Sequence, residues 1–146
     1  MSNESTFTIH HVQWAARAAD LQAIRREVFV VEQHVPEEDE WDANDAVSQH
    51  VLALADGMPV VTIGTGRLLP DGHIGRMAVL KPWRNRGVGR ALLALLLARA
   101  RQSGFKTVVL HAQVHALNFY IKQGFTAEGP VFMEAGIAHR VMQLRL

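Results

Sequence analysis

The sequence predicts a single α/β domain, of the α+β kind, spanning residues 1–146, with a mixed, mostly antiparallel sheet of about six to seven strands flanked by about four helices. Two Asp-Gly turns, at 56–57 and 71–72, separate β-rich segments and indicate an antiparallel meander. A strongly apolar helix then begins after Gly87 and Gly89. A β-branched run and another helical segment follow it, which indicates sheet and helices packed in layers.

The N-terminal half contains four predicted strands and one long helix. Residues 7–14 are rich in β-formers, and Asp20 is predicted to cap the helix that follows. This helix is expected to end near residues 34–36, with four apolar side chains facing inward: Leu21, Ile24, Val28 and Val31. The segment after it is predicted to be a polar loop or short helix. The other three strands are predicted at residues 48–55, 59–69 and 73–80.

The C-terminal half alternates helix and strand before two final strands. The apolar helix is predicted to run to about Gln102 and to be closed by Gly104. A strand at 106–110 and a helix at 114–123 follow, and Gly124 terminates that helix. Strands are predicted at 125–132 and 139–146, which completes the mixed sheet.

Composition excludes several classes of protein. Hydrophobic residues make up 49% of the chain and charged residues 20%, as in a soluble folded domain. Without cysteine there is no disulfide and no thiolate nucleophile, and no metal site is predicted. The start lacks the pattern of a secretory signal, and the apolar run 91–98 is too short to cross a bilayer. We therefore expect a cytoplasmic protein without a membrane partner.

The net charge of +1 conceals a strongly basic central block. Residues 72–127 carry nine bases and no acid, whereas residues 1–71 carry twelve acids and four bases. Such a block favours an anionic ligand. Nucleic acid is the alternative, but the bases are spread over several elements and no nucleic-acid motif is present, so we expect no nucleic-acid partner.

The segment 84–91 is a basic, glycine-punctuated turn between a strand and a helix. The first N–H groups of a helix lack internal acceptors and lie at its positive end, so they bind phosphate oxygens. Glycine lets the backbone approach the anion closely. There is no Gly-Lys-Ser/Thr ending of a P-loop, and the dinucleotide fingerprint fails because Leu92 stands at its last position.

This turn resembles the pyrophosphate loop of the GNAT superfamily of acyl-CoA-dependent N-acyltransferases, with Arg84, Gly87 and Gly89 at the family's positions. A downstream pattern that starts at Gln113 and ends at Gly124-Phe125 is similar to a second motif of that family, although many members carry asparagine where Gln113 stands. The resemblance covers nearly the whole chain and implies acetyl-CoA as co-substrate. It implies these coenzyme-binding residues: Met77, Ala78, Val79, Arg84, Asn85, Arg86, Gly87, Val88, Gly89, Arg90, Gln113, Asn118 and Tyr120.

A closer resemblance is to a small bacterial branch of the superfamily called ElaA-like. The residues that carry it are Phe29, Glu32 and Gln33 near the end of the first helix, and Phe132, Glu134, Gly136, Ile137, His139 and Met142 at the C-terminus. It supports the fold and the coenzyme but does not identify the acceptor amine.

By the same resemblance, the acceptor amine attacks the thioester directly in a ternary complex. Tyr120 is then the general acid for the departing thiolate. Four candidates remain for the base: Glu32, Glu134, His111 and His139. We assign Glu32 as the catalytic candidate, since it lies at the end of the first helix.

Several alternatives stay open. Seven acids between residues 32 and 45 either attract a cationic amine or form a solvated charge run. A non-catalytic acyl-CoA sensor or interaction module is the alternative to an N-acetyltransferase. Exposed strands near the C-terminus would also permit a homodimer.

Overall fold

Seven strands form one mixed sheet in the order β1-β2-β3-β4-β5-β7-β6, in a computed structural model that describes residues 6–146. All neighbouring strands are antiparallel except β4 and β5, which are parallel. The predicted fold class is therefore confirmed. The strands are β1 (Phe7–Val12), β2 (Gln49–Ala55), β3 (Val61–Leu68), β4 (His73–Val79), β5 (Thr107–Gln113), β6 (Thr126–Glu134) and β7 (Ile137–Arg145).

In the described part of the chain, four α-helices accompany the sheet: α1 (Trp14–Arg25), α2 (Glu37–Glu40), α3 (Val88–Gln102) and α4 (Leu117–Lys122). A π-helical segment, Arg26–Glu32, continues α1, and short 3₁₀ turns lie at Asp45–Val47, Lys81–Trp83 and Val114–Ala116.

The first helix differs from its prediction at both ends. It begins at Trp14, so Asp20 is not its cap but lies inside it and accepts a hydrogen bond from Arg17 Nε at 2.9 Å. Val28 is buried as predicted, whereas Val31 is 55% exposed. The reason is the π-helical winding, whose wider i→i+5 turn rotates later residues away from the positions of an ideal α-helix.

The main core lies between the sheet and α3. Leu92, Leu93 and Leu96 are buried against the apolar face of the sheet. Helix α3 approaches the sheet closely because β3 has a glycine, Gly64, beneath the helix. A Cβ at Gly64 would lie 2.9 Å from Leu92 Cδ1. A smaller cluster on the opposite face joins Val28 and its neighbours to β4.

The two parallel strands at the centre of the sheet separate soon after they pair. Only His73 with Val109 and Ile74 with Leu110 are in register between β4 and β5. Beyond this point, no strand among residues 6–146 pairs with the β5-facing edge of β4. Arg76, with φ of 52°, interrupts the regular strand there. The separation opens a cleft through the middle of the sheet.

Candidate functional site

A cavity of about 930 Å³ occupies the cleft between β4 and β5. Its walls come from the π-helical segment, from both separating strands, from the turn after β6 and from the start of β7. A cavity of this size can enclose a drug-sized molecule or the arm of a larger ligand.

Some of the predicted coenzyme-binding residues line this cavity and others do not. Those in its lining are Met77, Ala78, Val79, Arg84, Gln113 and Tyr120. Those outside its lining are Asn85, Arg86, Gly87, Val88, Gly89, Arg90 and Asn118. Asn118 is exposed on α4, whereas residues 85–90 continue from Arg84 into the first turn of α3.

The turn before α3 has the backbone geometry of an anion-binding loop. Gly87 caps the helix in the left-handed region, with φ of 85°, a conformation that side-chain-bearing residues rarely adopt. Helix α3 spans 15 residues, and its first N–H groups have no acceptor within the helix. Arg90 is exposed in this first turn, and the guanidinium of Arg86 lies 4.2 Å from the ring centroid of Trp83. The loop can therefore bind phosphate groups at one end of the cleft.

Arg84 is engaged within the protein. Its Nε donates to the backbone oxygen of Val79 at 2.9 Å. Its two terminal nitrogens donate to the carboxylate of Glu32, at 2.6 and 2.8 Å. This bidentate pair joins the end of the π-helical segment to the end of β4 at the wall of the cavity.

The same pair bears on Glu32, the predicted catalytic base. Hydrogen bonds from Arg84 lower the pKa of the Glu32 carboxyl below its ordinary value. A lowered pKa makes a carboxylate a weaker proton acceptor. The position of Glu32 on the cavity agrees with a role in the site, but its bidentate partner does not favour the role of base.

Tyr120 lies in α4 and borders the cavity from the side of the main core. It is 8% exposed and packs edge-to-face against Phe119 and Phe125, with centroid distances of 5.0 and 5.7 Å. Burial raises the pKa of the Tyr120 phenol to about 12. The hydroxyl consequently keeps its proton at neutral pH and can donate it or a hydrogen bond.

The opposite wall of the cavity carries a group of polar rings and a carboxylate. His111 Nδ1 lies 3.1 Å from Glu134 Oε1, and His139 Nε2 lies 3.8 Å from Glu134 Oε2. The ring of His73 meets that of His111 edge-on at 5.8 Å, and Phe132 lies between the rings of His111 and His139. The start of β4, the strand β5, the end of β6 and the start of β7 thus bring together residues that are distant in sequence.

An amide pair also crosses the cavity. Gln33, at the end of the π-helical segment, and Gln113, at the end of β5, exchange hydrogen bonds of 3.3 and 2.9 Å between their side-chain amides. Gln113, predicted to contact the coenzyme, therefore has a protein partner that sequence reasoning did not assign.

The acidic segment is divided between two environments: Glu38 and Asp39 stay exposed, so both predicted roles remain open for them, whereas three other carboxylates pair with arginines. Glu40 and Asp45 are buried and hydrogen-bond to the buried guanidinium of Arg25, at 2.8 and 2.7 Å. Asp45 also accepts from Arg67 at 2.8 Å, and Asp42 binds the same arginine through both of its oxygens. These carboxylates neither form a solvated run nor await a cationic ligand, because they neutralise arginines that the fold buries.

Two further searches concern only the part of the chain that the structure describes. No three His, Cys, Asp or Glu side chains among residues 6–146 are grouped so that they could hold a metal ion. In the same range, no helix is both long enough and apolar enough to span a membrane.

Sequence reasoning did not assign a role to His73, to Gln33 or to the two buried arginines, Arg25 and Arg67. One signal was available for β5: alternate residues of a strand share a face, so His111 and Gln113 had to lie on the same side. No comparable signal places His73 beside His111, because that contact depends on the register between β4 and β5.

Comparison with known proteins agrees with this geometry. Residues 14–146 match the family described as "Acetyltransferase (GNAT) domain". The uncharacterized protein YyaT of Bacillus subtilis is 39% identical over 125 residues, which cover 82% of each chain. Among solved structures, an acyl-CoA N-acyltransferase of Pseudomonas aeruginosa is similar with a TM-score of 0.77 at 30% identity. ElaA of Escherichia coli is similar with a TM-score of 0.77 at 28% identity, and both alignments cover 96% of this chain and 99% of the other.

Proposed function

The chain belongs to the GNAT family of N-acetyltransferases, and we propose that it transfers acetyl from acetyl-CoA to a primary amine of a small molecule or peptide. The transfer proceeds by direct attack of the amine on the thioester within a ternary complex. No covalent acyl-enzyme is required, in keeping with the absence of cysteine from the sequence.

The observation that carries this proposal is the separation of β4 from β5 directly beside the start of α3. The β5-facing backbone edge of residues 75–79 has no partner strand. Buried backbone groups need hydrogen-bond partners, and the amides of a pantetheine arm can supply them. The coenzyme diphosphate would then lie on the first N–H groups of α3, with Arg90 adding a charge-assisted contact.

The thioester carbonyl would lie near the backbone of Val79, where an N–H group can stabilise the developing oxyanion. Tyr120 approaches the cleft from the other side and would protonate the departing thiolate. Its raised pKa, about 12, keeps the phenol protonated at neutral pH, so a proton is present when the thiolate leaves.

Isothermal titration calorimetry with acetyl-CoA tests the coenzyme site. Arg90→Glu should weaken binding roughly tenfold or more, since it reverses a charge at the proposed diphosphate position. Arg101→Glu is the matched control because Arg101 is exposed in the last turn of the same helix, roughly 16 Å away at 1.5 Å per residue. Equal losses for both variants, or no binding to the wild type, would contradict the proposed coenzyme site.

Tyr120→Phe separates an enzyme from a non-catalytic sensor. For an enzyme, the rate of thiol release with an amine acceptor should fall about 10²- to 10⁴-fold, while the Kd for acetyl-CoA stays within a factor of about three. A sensor would bind acetyl-CoA but show no wild-type turnover with any amine.

A further inference from the structure

We propose that His111 is the general base that removes a proton from the acceptor amine, and that Glu134 is the residue that positions it. This inference rests on the proposed acetyl transfer and deepens it. It assigns the base to the wall of the cavity opposite Tyr120, and not to Glu32.

The first argument is the hydrogen bond between His111 and Glu134. A carboxylate accepts hydrogen bonds and has none to donate when ionised, so Nδ1 of His111 carries the hydrogen in the 3.1 Å contact. In the neutral ring, Nε2 then keeps its lone pair. A carboxylate that holds one nitrogen of an imidazole in this way orients the ring and stabilises the imidazolium that forms when the other nitrogen accepts a proton.

The second argument is position. Leu110 is the last residue of β5 in register with β4, so His111 stands where the two strands begin to part. Its side chain is 37% exposed and borders the cavity. An amine that enters the cavity to meet a thioester held along β4 would pass this ring.

The other candidates are engaged in ways that leave them less suitable. Glu32 is held by Arg84. His139 is almost buried, and its Nδ1 donates to the backbone oxygen of Ile137 at 2.7 Å. Glu134 accepts the hydrogen bond from His111 through one oxygen, and its other oxygen lies 3.8 Å from His139 Nε2.

The charged and titratable groups around His111 come from every neighbouring element of the cavity. They are Asp71 before β4, His73 and Arg76 on β4, His115 and Tyr120 after β5, Glu134 on β6 and His139 on β7. The remaining charged groups of the cavity lining are Glu32, Asp39, Glu40, Arg67 and Arg84.

The proton balance of the step is complete without a further reactant. Nε2 of His111 takes one proton from the ammonium, and the freed amine nitrogen bonds to the thioester carbon. The C–S bond breaks, the thiolate takes a proton from Tyr120, and the extra N–H proton of the new amide returns to the Tyr120 phenolate. The imidazolium of His111 then loses its proton to water. Overall the reaction yields an amide and free coenzyme A, with one proton released to water.

The test compares two kinds of amine in a thiol-release assay with acetyl-CoA. Ethanolamine, spermidine and Nα-acetyl-lysine amide are protonated at neutral pH and need a base. Methoxyamine is weakly basic and arrives unprotonated. His111→Gln should lower kcat for the best of the first three at least 100-fold, because general-base catalysis contributes about 10²- to 10⁴-fold. The acid limb of its pH profile should move up towards the pKa of the amine, because the amine must then lose its proton without the imidazole. Turnover of methoxyamine should fall less than tenfold.

Further variants identify the group responsible. Glu134→Gln should lower kcat and move the acid limb to lower pH, because the amide no longer stabilises an imidazolium. His10→Gln, on the exposed strand β1, is the control and should leave kcat unchanged. Circular dichroism and an unchanged Kd for acetyl-CoA confirm that His111→Gln is folded.

Three results would overturn the assignment while leaving the proposed function intact. The first is a kcat for His111→Gln within threefold of wild type. The second is a loss of kcat with methoxyamine equal to that with the protonated amines. The third is that His73→Gln, and not His111→Gln, lowers kcat and changes the acid limb of the pH profile. Wild-type protein that neither binds acetyl-CoA nor turns over any of the four amines would instead refute the proposed function, and this inference with it.

Discussion

Asp45 offers the sharpest test of how this fold holds its buried arginines. Its carboxylate is 6% exposed and accepts hydrogen bonds from two guanidinium groups, Arg25 at 2.7 Å and Arg67 at 2.8 Å. Arg25 and Arg67 are themselves almost fully buried. Both guanidinium groups donate to the same oxygen, Oδ1, so Asp45→Asn keeps the shape of the side chain and an acceptor oxygen but removes the charge.

Breaking a buried ion pair by removing one partner costs about 3–5 kcal/mol, because a charge is left buried without compensation. Arg25 keeps Glu40 and Arg67 keeps Asp42 as partners, which places the expected loss at the lower end of that range, about 3 kcal/mol. At roughly 3 °C per kcal/mol for a chain of this size, the melting temperature should fall by about 9 °C. Urea denaturation should show a midpoint lower by about 1.5 M if the slope is about 2 kcal/mol per M.

Glu38→Gln is the matched control, since Glu38 is an exposed acid of the same segment. Its unfolding free energy should stay within about 0.5 kcal/mol of wild type. A loss below about 1 kcal/mol for Asp45→Asn, with an unchanged urea slope, would refute the argument that this carboxylate stabilises the fold by neutralising buried charge.

Three further predictions follow from single contacts. Hydrogen bonds from a buried arginine lower the pKa of Asp42 from 3.8 to about 2, so its stabilising effect is complete above about pH 4 and disappears as the pH falls towards 2. Asp42→Asn should reduce the dependence of the free energy of unfolding on pH between about pH 4 and pH 2. The same dependence in wild type and variant would contradict this prediction. Gly64→Ala would place a methyl group 2.9 Å from Leu92 Cδ1 and should lower the free energy of unfolding, measured by thermal melting, by about 1–3 kcal/mol. An unaltered melting temperature would show that α3 can shift to accommodate the methyl group at no cost. Glu32→Gln should release Arg84 for a phosphate and lower the Kd for acetyl-CoA, with kcat changed less than tenfold, whereas a 100-fold loss of kcat would restore Glu32 as the base.

Most of the architecture could be predicted because its signals are local. Asp-Gly turns, glycine at helix ends and runs of β-formers depend on neighbouring residues, and the predicted meander and the helix α3 are confirmed. The family was also predictable, since its motif residues are close together in the chain and residues 14–146 match the family. Local signals were wrong for the first helix, where the π-helical turn moved Val31 to the surface.

The sequence by itself determined the fold class, the family and the glycine turn that begins α3. Only the tertiary structure decided which polar groups meet: Arg84 with Glu32 across 52 residues, and Gln33 with Gln113 across 80. It also placed Glu134 against His111, and so favoured a base that the sequence had left among four candidates. The physical reason is that such contacts depend on strand register, helical winding and side-chain direction. These are set by packing the whole domain and have no signature within a short window of residues.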